Sequence, residues 1–192
     1  VDQVKIYKFN DETGKITLVD MLRCELESAP RIIKFSPDGR FAYLICELKN
    51  YISVYTYKDG PRGPVFELVQ TISTLNEYHS KGSAACVLRF SRDWNYVLCS
   101  NAGDNSVGIF KIDRETGMLE KICILPVSGD YPKAADFFPD NRHIMALNHE
   151  SNTMTIFRIN YEKKYFSLWG KPLKVETPNC VLVSEIEEAP KQ

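Results

Sequence analysis

An internal repeat with a period of about 50 residues constrains the fold of this 192-residue chain more than any other feature of its sequence. Four six-residue segments share apolar first and third positions, an aromatic fourth position and a bulky sixth position, and they start 48, 55 and 47 residues apart. They are residues 4–9, 52–57, 107–112 and 154–159. A second marker, a turn containing Asp38, Asp93 or Asp140, repeats at the last two of these spacings. Because both markers repeat at the same spacings, the chain is a tandem array of similar units.

Each unit contains four short runs rich in Val, Ile, Tyr and Phe, bounded by Pro, Gly, Asn and Asp, which is typical of strands and tight turns. In the first complete unit we place strand A at 31–36, B at 41–48, C at 51–57 and D at 65–73. Four antiparallel strands in a unit of this length predict a blade of a β-propeller, so the fold class is all-β. The aromatic residues of the fourth repeat position are expected in the blade cores: Tyr7, Tyr55, Phe110 and Phe157.

The domain organisation follows from the same period, as a single propeller domain over 1–192 with about four blades. The units are a partial blade (1–25), three complete blades (30–74, 84–125 and 131–175) and a closing strand (179–186). A propeller ring leaves no blade face unpacked, so a ragged array is expected to be part of a larger propeller and to pair with further blades or with another chain. The alternative is that the closing strand pairs with residues 4–19 and closes a small ring.

Composition and charge exclude several classes of function. The formal net charge is -1 without a block of like charge, so a nucleic-acid partner is not expected. No apolar run approaches the roughly 18 residues that span a bilayer, and the first residues resemble no secretion signal, so no membrane partner is expected. The six cysteines are scattered, which favours reduced thiols and a cytoplasmic location. No metal-ligand cluster or phosphate-binding loop stands out, so no metal and no cofactor are predicted.

Candidate catalytic residues come from the end of the propeller where loops are longer and more varied. Arg31 begins strand A and Glu47 ends strand B of the same unit, so these two are expected to face each other. Arg89 lies on strand A of the next unit, which is the innermost strand of its blade. It occupies the repeat position four residues before the turn aspartate, where the neighbouring units have Lys34 and Asp136. Because unpaired buried charge is costly, this slot is expected to line a wet central channel. The structural alternatives are exposed strand-end charges for Arg31 and Glu47, and a salt bridge with Asp136 or Lys34 for Arg89.

Candidate substrate-binding residues lie at the same end, at equivalent repeat positions or in the longest loop between units. They are Lys133, His149, Asn101, Asn148 and His79. The alternatives are that Lys133 is a solvated charge, that the two histidines are polar residues at the surface, and that the two asparagines cap strand B through side-chain to backbone hydrogen bonds. Together these residues predict a small anionic ligand as the partner.

The sequence also resembles a known family along essentially its whole length. The segments that carry the resemblance, in order, are 30–43 (PRIIKFSPDGRFAY), 47–48, 53–55, 83–89, 100–103, 131–133 and 178–182. They resemble the lactonase family of seven-bladed propellers, which includes bacterial 6-phosphogluconolactonase and fungal carboxymuconate cyclase. The resemblance implies that the chain corresponds to about the C-terminal four-sevenths of a propeller, with a lactone-handling cleft on the channel rim. Arg31, Glu47 and Arg89 fall on charged positions of that cleft.

The resemblance implies hydrolysis of a sugar lactone, as by a 6-phosphogluconolactonase of the pentose phosphate pathway. Arg31, Arg89 and Lys133 would hold the phosphate or carboxylate and stabilise the oxyanion, while Glu47 would act as general base. Four residues depart from the family pattern: Ile32, Cys46, Ala102 and Lys133. The first three departures favour a second hypothesis, a non-catalytic propeller that binds a small anionic ligand or a protein partner on the same rim.

Overall fold

Strands account for all the regular structure in residues 2–60, 63–77 and 82–184, which are the residues that the computed structural model describes. The first sheet pairs β1 (Gln3–Asn10) with β2 (Lys15–Arg23). The second sheet has four antiparallel strands in chain order, β3 (Pro30–Phe35), β4 (Phe41–Cys46), β5 (Tyr51–Gly60) and β6 (Gly63–Ser73). None of the described residues forms a helix that is long and apolar enough to cross a membrane.

The remaining two sheets repeat the same order. The third contains β7 (Ala85–Phe90), β8 (Tyr96–Asn101), β9 (Ser106–Ile112) and β10 (Leu119–Pro126). The fourth contains β11 (Pro132–Phe137), β12 (His143–Asn148), β13 (Thr153–Asn160) and, as two pieces of one outer strand beside β13, β14 (Tyr165–Leu168) and β15 (Leu173–Lys174). The prediction of an all-β chain built from four-stranded antiparallel blades is confirmed.

The hydrophobic core lies between neighbouring blades. One cluster joins the second sheet to the third, and another joins the third sheet to the fourth. Phe110 and Phe157 are buried in these two clusters, and Tyr55 is buried in a third cluster between the first and second sheets, as predicted. The prediction for Tyr7 is wrong, because this side chain is 51% exposed. It belongs to the two-stranded sheet β1–β2, and the described residues leave this side chain largely uncovered.

The tight turns between strands A and B depend on the repeated aspartates. The Ser36 hydroxyl donates to Asp38 at 2.6 Å, and the Ser91 hydroxyl donates to Asp93 at the same distance. Asp140 instead accepts from the backbone N–H groups of Arg142 and His143. The prediction that these aspartates form turns is confirmed.

The predicted closing strand does not appear. Residues 179–184 form no strand and do not pair with β1 or β2, while residues 185 and 186 lie outside the described part of the chain. This segment instead runs beside the inner strands, where the Val183 carbonyl accepts a hydrogen bond from Arg92 at 2.7 Å. The described residues therefore do not form the small closed ring.

Candidate functional site

Arg31 and Glu47 form an ion pair at the rim, as the sequence predicts. The Arg31 Nη1 atom lies 2.6 Å from Glu47 Oε2, and Arg31 Nε donates to the Cys86 carbonyl at 2.9 Å. The hydrogen bond with Glu47 raises the pKa of Arg31 above its ordinary value. Because its guanidinium is tied to two neighbouring blades, Arg31 is held in place although its side chain is 42% exposed.

A β-bulge aims one side chain from each inner strand at this rim. The pairing of strand A with strand B shifts at Arg31 in β3, at Cys86 in β7 and at Lys133 in β11. A bulge bends the strand and re-directs the extra residue. Arg31, Cys86 and Lys133 thus occupy one repeated position around the channel. Burial raises the pKa of the Cys86 thiol, while the nearby charges of Arg31 and Lys133 oppose that shift.

Tyr131 and His149 complete this side of the rim. The Lys133 Nζ atom lies 5.6 Å from the centroid of the Tyr131 ring, within cation–π range. Tyr131 has a φ of 59°, and its N–H donates to Asn105 Oδ1 at 2.8 Å. The His149 N–H donates to the Tyr131 carbonyl at 3.0 Å, and His149 Nδ1 lies 3.3 Å from the Pro178 carbonyl oxygen. His149 therefore sits at the predicted end of the propeller. Tyr131 lies two residues before Lys133, a position that did not distinguish it in the sequence.

Asn101 and Asn148 do not line a binding surface, in contrast to their predicted role. Both are 0% exposed. The Asn101 amide donates to the Thr74 carbonyl at 2.8 Å, and the Asn148 amide donates to the Thr155 hydroxyl at 3.1 Å. These hydrogen bonds tie the end of strand B to neighbouring chain segments, as in the structural alternative. His79 lies outside the described residues.

Three further asparagines shape the rim, and the sequence analysis did not single them out. Asn50, Asn105 and Asn152 have φ angles of 52°, 53° and 53° in the turns between strands B and C. Each side chain bonds the backbone of the loop that leaves the blade, at Ser83, Tyr131 and Thr177 respectively. We call this arrangement the turn–loop joint. The spacings of 55 and 47 residues were visible in the sequence and could have revealed it.

Arg89 is not grouped with Arg31 and Glu47. Its position is three residues further along strand A than the bulge, a separation of about 10 Å in an extended strand. Arg89 instead lies near Asp136, with Nε at 3.6 Å from Asp136 Oδ2, and near Lys34. The predicted convergence of Arg31, Glu47 and Arg89 therefore gives two separate charged groups, of which Arg89 belongs to the second.

The rim offers one carboxylate, a guanidinium and an ammonium group around a solvent-facing space. Glu47 uses Oε2 for Arg31, which leaves Oε1 available to a water molecule or a ligand. Three of the positions that depart from the family pattern lie below this surface. Cys46 and Ala102 are fully buried, and Ile32 packs against the core. Within the described part of the chain, no three His, Cys, Asp or Glu side chains gather as metal ligands do.

Successive antiparallel sheets in chain order, packed face to face and with charged side chains at one end of their first strands, define the class of protein as part of a β-propeller with a rim site. Comparison with known families makes this specific, because residues 1–183 match the family model described as lactonase, 7-bladed beta-propeller. The chain belongs to this lactonase family.

Individual relatives agree with this assignment. An uncharacterized protein of Lactococcus lactis subsp. cremoris is 31% identical over 94% of this chain and 52% of its own length. The 6-phosphogluconolactonase of Bacillus subtilis is 24% identical over 94% of this chain and 51% of its own. The periplasmic gluconolactonase PpgL of Pseudomonas aeruginosa has the same fold, with a TM-score of 0.84 and 24% identity over 93% of this chain and 50% of that structure. The chain thus spans about half the length of the relatives that it matches.

Proposed function

We propose that this chain supplies the reactive rim of a lactone hydrolase that acts on a sugar lactone carrying an anionic group, as a 6-phosphogluconolactonase does. The observation that carries the proposal is the Arg31–Glu47 pair, fixed at 2.6 Å by a bulge at the channel rim. Membership of the lactonase family and the 6-phosphogluconolactonase of Bacillus subtilis among the relatives support this reaction class.

In the proposed reaction, each charged residue of the rim has a separate role in ester hydrolysis. Glu47 Oε1 accepts a proton from water as the water oxygen attacks the lactone carbonyl carbon. Arg31 holds Glu47 in place and stabilises negative charge that develops on the carbonyl oxygen. The ring C–O bond then breaks, and the proton held by Glu47 passes to the leaving alkoxide, which gives the open-chain hydroxy acid. Lys133 attracts the anionic group of the substrate. His149 lies beside the Tyr131–Lys133 segment.

Substitution of Glu47 tests this proposal. In the natural gene product that contains this chain, Glu47→Gln should lower kcat for 6-phosphogluconolactone by about 100-fold or more with a small change in KM, because a general base contributes about that factor. Lys133→Met should instead raise KM, because it removes charge that attracts the substrate. Glu150→Gln is the matched control, since Glu150 is an exposed carboxylate whose backbone N–H donates to the Asp130 carbonyl in the loop before Lys133. An unchanged rate for Glu47→Gln would remove Glu47 from the chemistry.

The second candidate function is ligand binding without turnover. The observation that favours it is Cys86, a neutral residue in the middle of the three bulge positions, between Arg31 and Lys133. Saturable binding of 6-phosphogluconate by the natural gene product, with no hydrolysis of the lactone, would support a binding propeller. All six cysteines are free, which supports a cytoplasmic location as a further part of the proposal.

A further inference from the structure

A second charged group lies in the channel, at the end where the turns between strands A and B meet. Lys34, Arg89 and Asp136 come from three successive inner strands and surround a cavity of about 390 Å³. Arg92, Trp94 and Val183 also line this cavity. The group therefore combines charged side chains with a cavity that is partly open to solvent.

Among the described residues that line this cavity, positively charged side chains outnumber negatively charged ones. Asp136 Oδ1 accepts the Phe137 N–H at 2.8 Å, and Asp136 Oδ2 is 3.6 Å from Arg89 Nε, which is longer than a hydrogen bond. Lys34 makes no ion pair within the described residues, although Asp136 is close enough to favour its charged form. In the part of the lining that the structure describes, one carboxylate therefore faces two half-buried cations, and Arg92 adds a third cation.

Burial makes this imbalance costly. The Arg89 side chain is only 25% exposed, and the Asp136 side chain only 13%. Desolvation lowers the pKa of Lys34, and the charge of Arg89 lowers it further. A buried cation without a partner destabilises the fold, whereas a bound anion removes that cost and gains charge-assisted hydrogen bonds.

We propose that Lys34 and Arg89 bind a small oxyanion, a phosphate or carboxylate group, in this cavity as a second site. The planar guanidinium of Arg89 matches two oxygens of such a group, and the Lys34 ammonium adds a point charge from the neighbouring inner strand β3. The site stands about three residues further along strand A than the rim, so one small ion cannot touch both Arg89 and Arg31. It is independent of the lactonase proposal.

Titration of the chain with inorganic phosphate and, separately, with malonate tests the proposal and identifies the chemical source of the oxyanion. Isothermal calorimetry at low ionic strength should detect one saturable site for at least one of the two. Arg89→Met and Lys34→Met should each weaken binding by about tenfold or more, because each removes a charge-assisted contact. Asp136→Asn should strengthen binding, because it removes the carboxylate that competes for Arg89.

Two control variants make the result specific. Lys58→Met removes one charge from an exposed strand position away from the channel and should leave the phosphate affinity unchanged. Arg31→Met should also leave it unchanged, because Arg31 belongs to the rim. Binding of neither anion would overturn the proposal, as would binding that Arg31→Met abolishes and Arg89→Met spares. If Arg89→Met does not fold, the opposite effects of Lys34→Met and Asp136→Asn still decide the outcome.

Discussion

At the scale of single residues, Trp94 occupies a backbone conformation that its side chain disfavours. It has a φ of 57°, in the turn slot where the other blades have Gly39 and Asn141, two residue types that tolerate the left-handed region. The strain costs roughly 1–3 kcal/mol. The Trp94 ring stacks on Phe90 with centroids 4.4 Å apart and an interplanar angle of 27°, and this contact offsets part of the cost. The same stacking places Trp94 beside the channel cavity.

Asp136 should make the stability of the fold depend on pH in an unusual direction. Burial raises the pKa of Asp136 above its ordinary value of 3.8, against the opposing effect of the Phe137 N–H and the charges of Arg89 and Lys34. A carboxyl group with a raised pKa contributes stability below its unfolded-state pKa and loses that contribution as pH rises through the folded-state pKa. The free energy of unfolding of Asp136→Asn, relative to that of the wild type, should therefore be higher at about pH 7 than at about pH 4. Urea unfolding at both pH values measures this difference.

Asp38 provides a control of opposite sign. Hydrogen bonds from Ser36 and Arg40 lower the pKa of Asp38, so its contribution is present at neutral pH and is lost as pH falls. The free energy of unfolding of Asp38→Asn, relative to that of the wild type, should therefore be lower at neutral pH than in acid. The same direction of change for both variants would contradict the assignment for Asp136.

At the scale of strands and turns, two equivalent turns differ in what surrounds them. Gly14 and Gly117 end matching Glu-Thr-Gly turns between strands C and D, with φ angles of 66° and 74°. A methyl group at Gly117 would lie 2.4 Å from the Phe41 ring of the neighbouring blade, whereas one at Gly14 would meet nothing within 4 Å. The Tyr43 hydroxyl also donates to the Gly117 carbonyl at 2.9 Å. The turn at Gly117 therefore belongs to the packing between blades.

Alanine substitutions separate the two effects. Gly14→Ala should lower the free energy of unfolding by about 1–2 kcal/mol, through backbone strain alone. Gly117→Ala should cost roughly 1–3 kcal/mol more, because the Phe41 ring must also move. Chemical denaturation of both variants checks the difference. Equal losses would mean that the turn at Gly117 yields without disturbing Phe41.

The strands and turns could be predicted from the sequence because their signals are local. The alternation in residues 52–57 and the Pro-Asp-Gly turn at 37–39 do not depend on distant contacts. The bulges at Arg31, Cys86 and Lys133 could not be predicted in the same way, because a bulge is defined by the register of a partner strand. The depth of Arg89 was missed for a related reason: the repeat placed it on the right strand, but its three-residue offset from Arg31 separates the two groups.

At the scale of the whole molecule, the four sheets are not equally covered. Neighbouring sheets pack on both faces of the third sheet, whereas no other sheet of the described residues packs on one face of the β1–β2 sheet. The exposed side chains on that face form cross-strand pairs, Tyr7 with Leu18 and Phe9 with Ile16. A continuous apolar face of this kind favours association.

In the isolated chain of residues 1–192, we expect this face to cause association as the concentration rises. Sedimentation velocity over a concentration series should detect the association, and Phe9→Lys should shift it to higher concentration. Leu68→Lys is the matched control, because Leu68 on β6 is 58% exposed, close to the 62% of Phe9, but lies on another sheet. Association that responds equally to both variants would assign the effect to general apolar exposure and not to the β1–β2 face.

In the turn–loop joint of Asn50, Asn105 and Asn152, each asparagine connects its own blade to the loop that leaves that blade for the next unit. A duplication or deletion with both breakpoints at matching points of the period would therefore carry every joint along intact. Propellers built this way can gain or lose blades by recombination without forming a new type of contact between blade and loop. What changes instead is the angle between neighbouring blades.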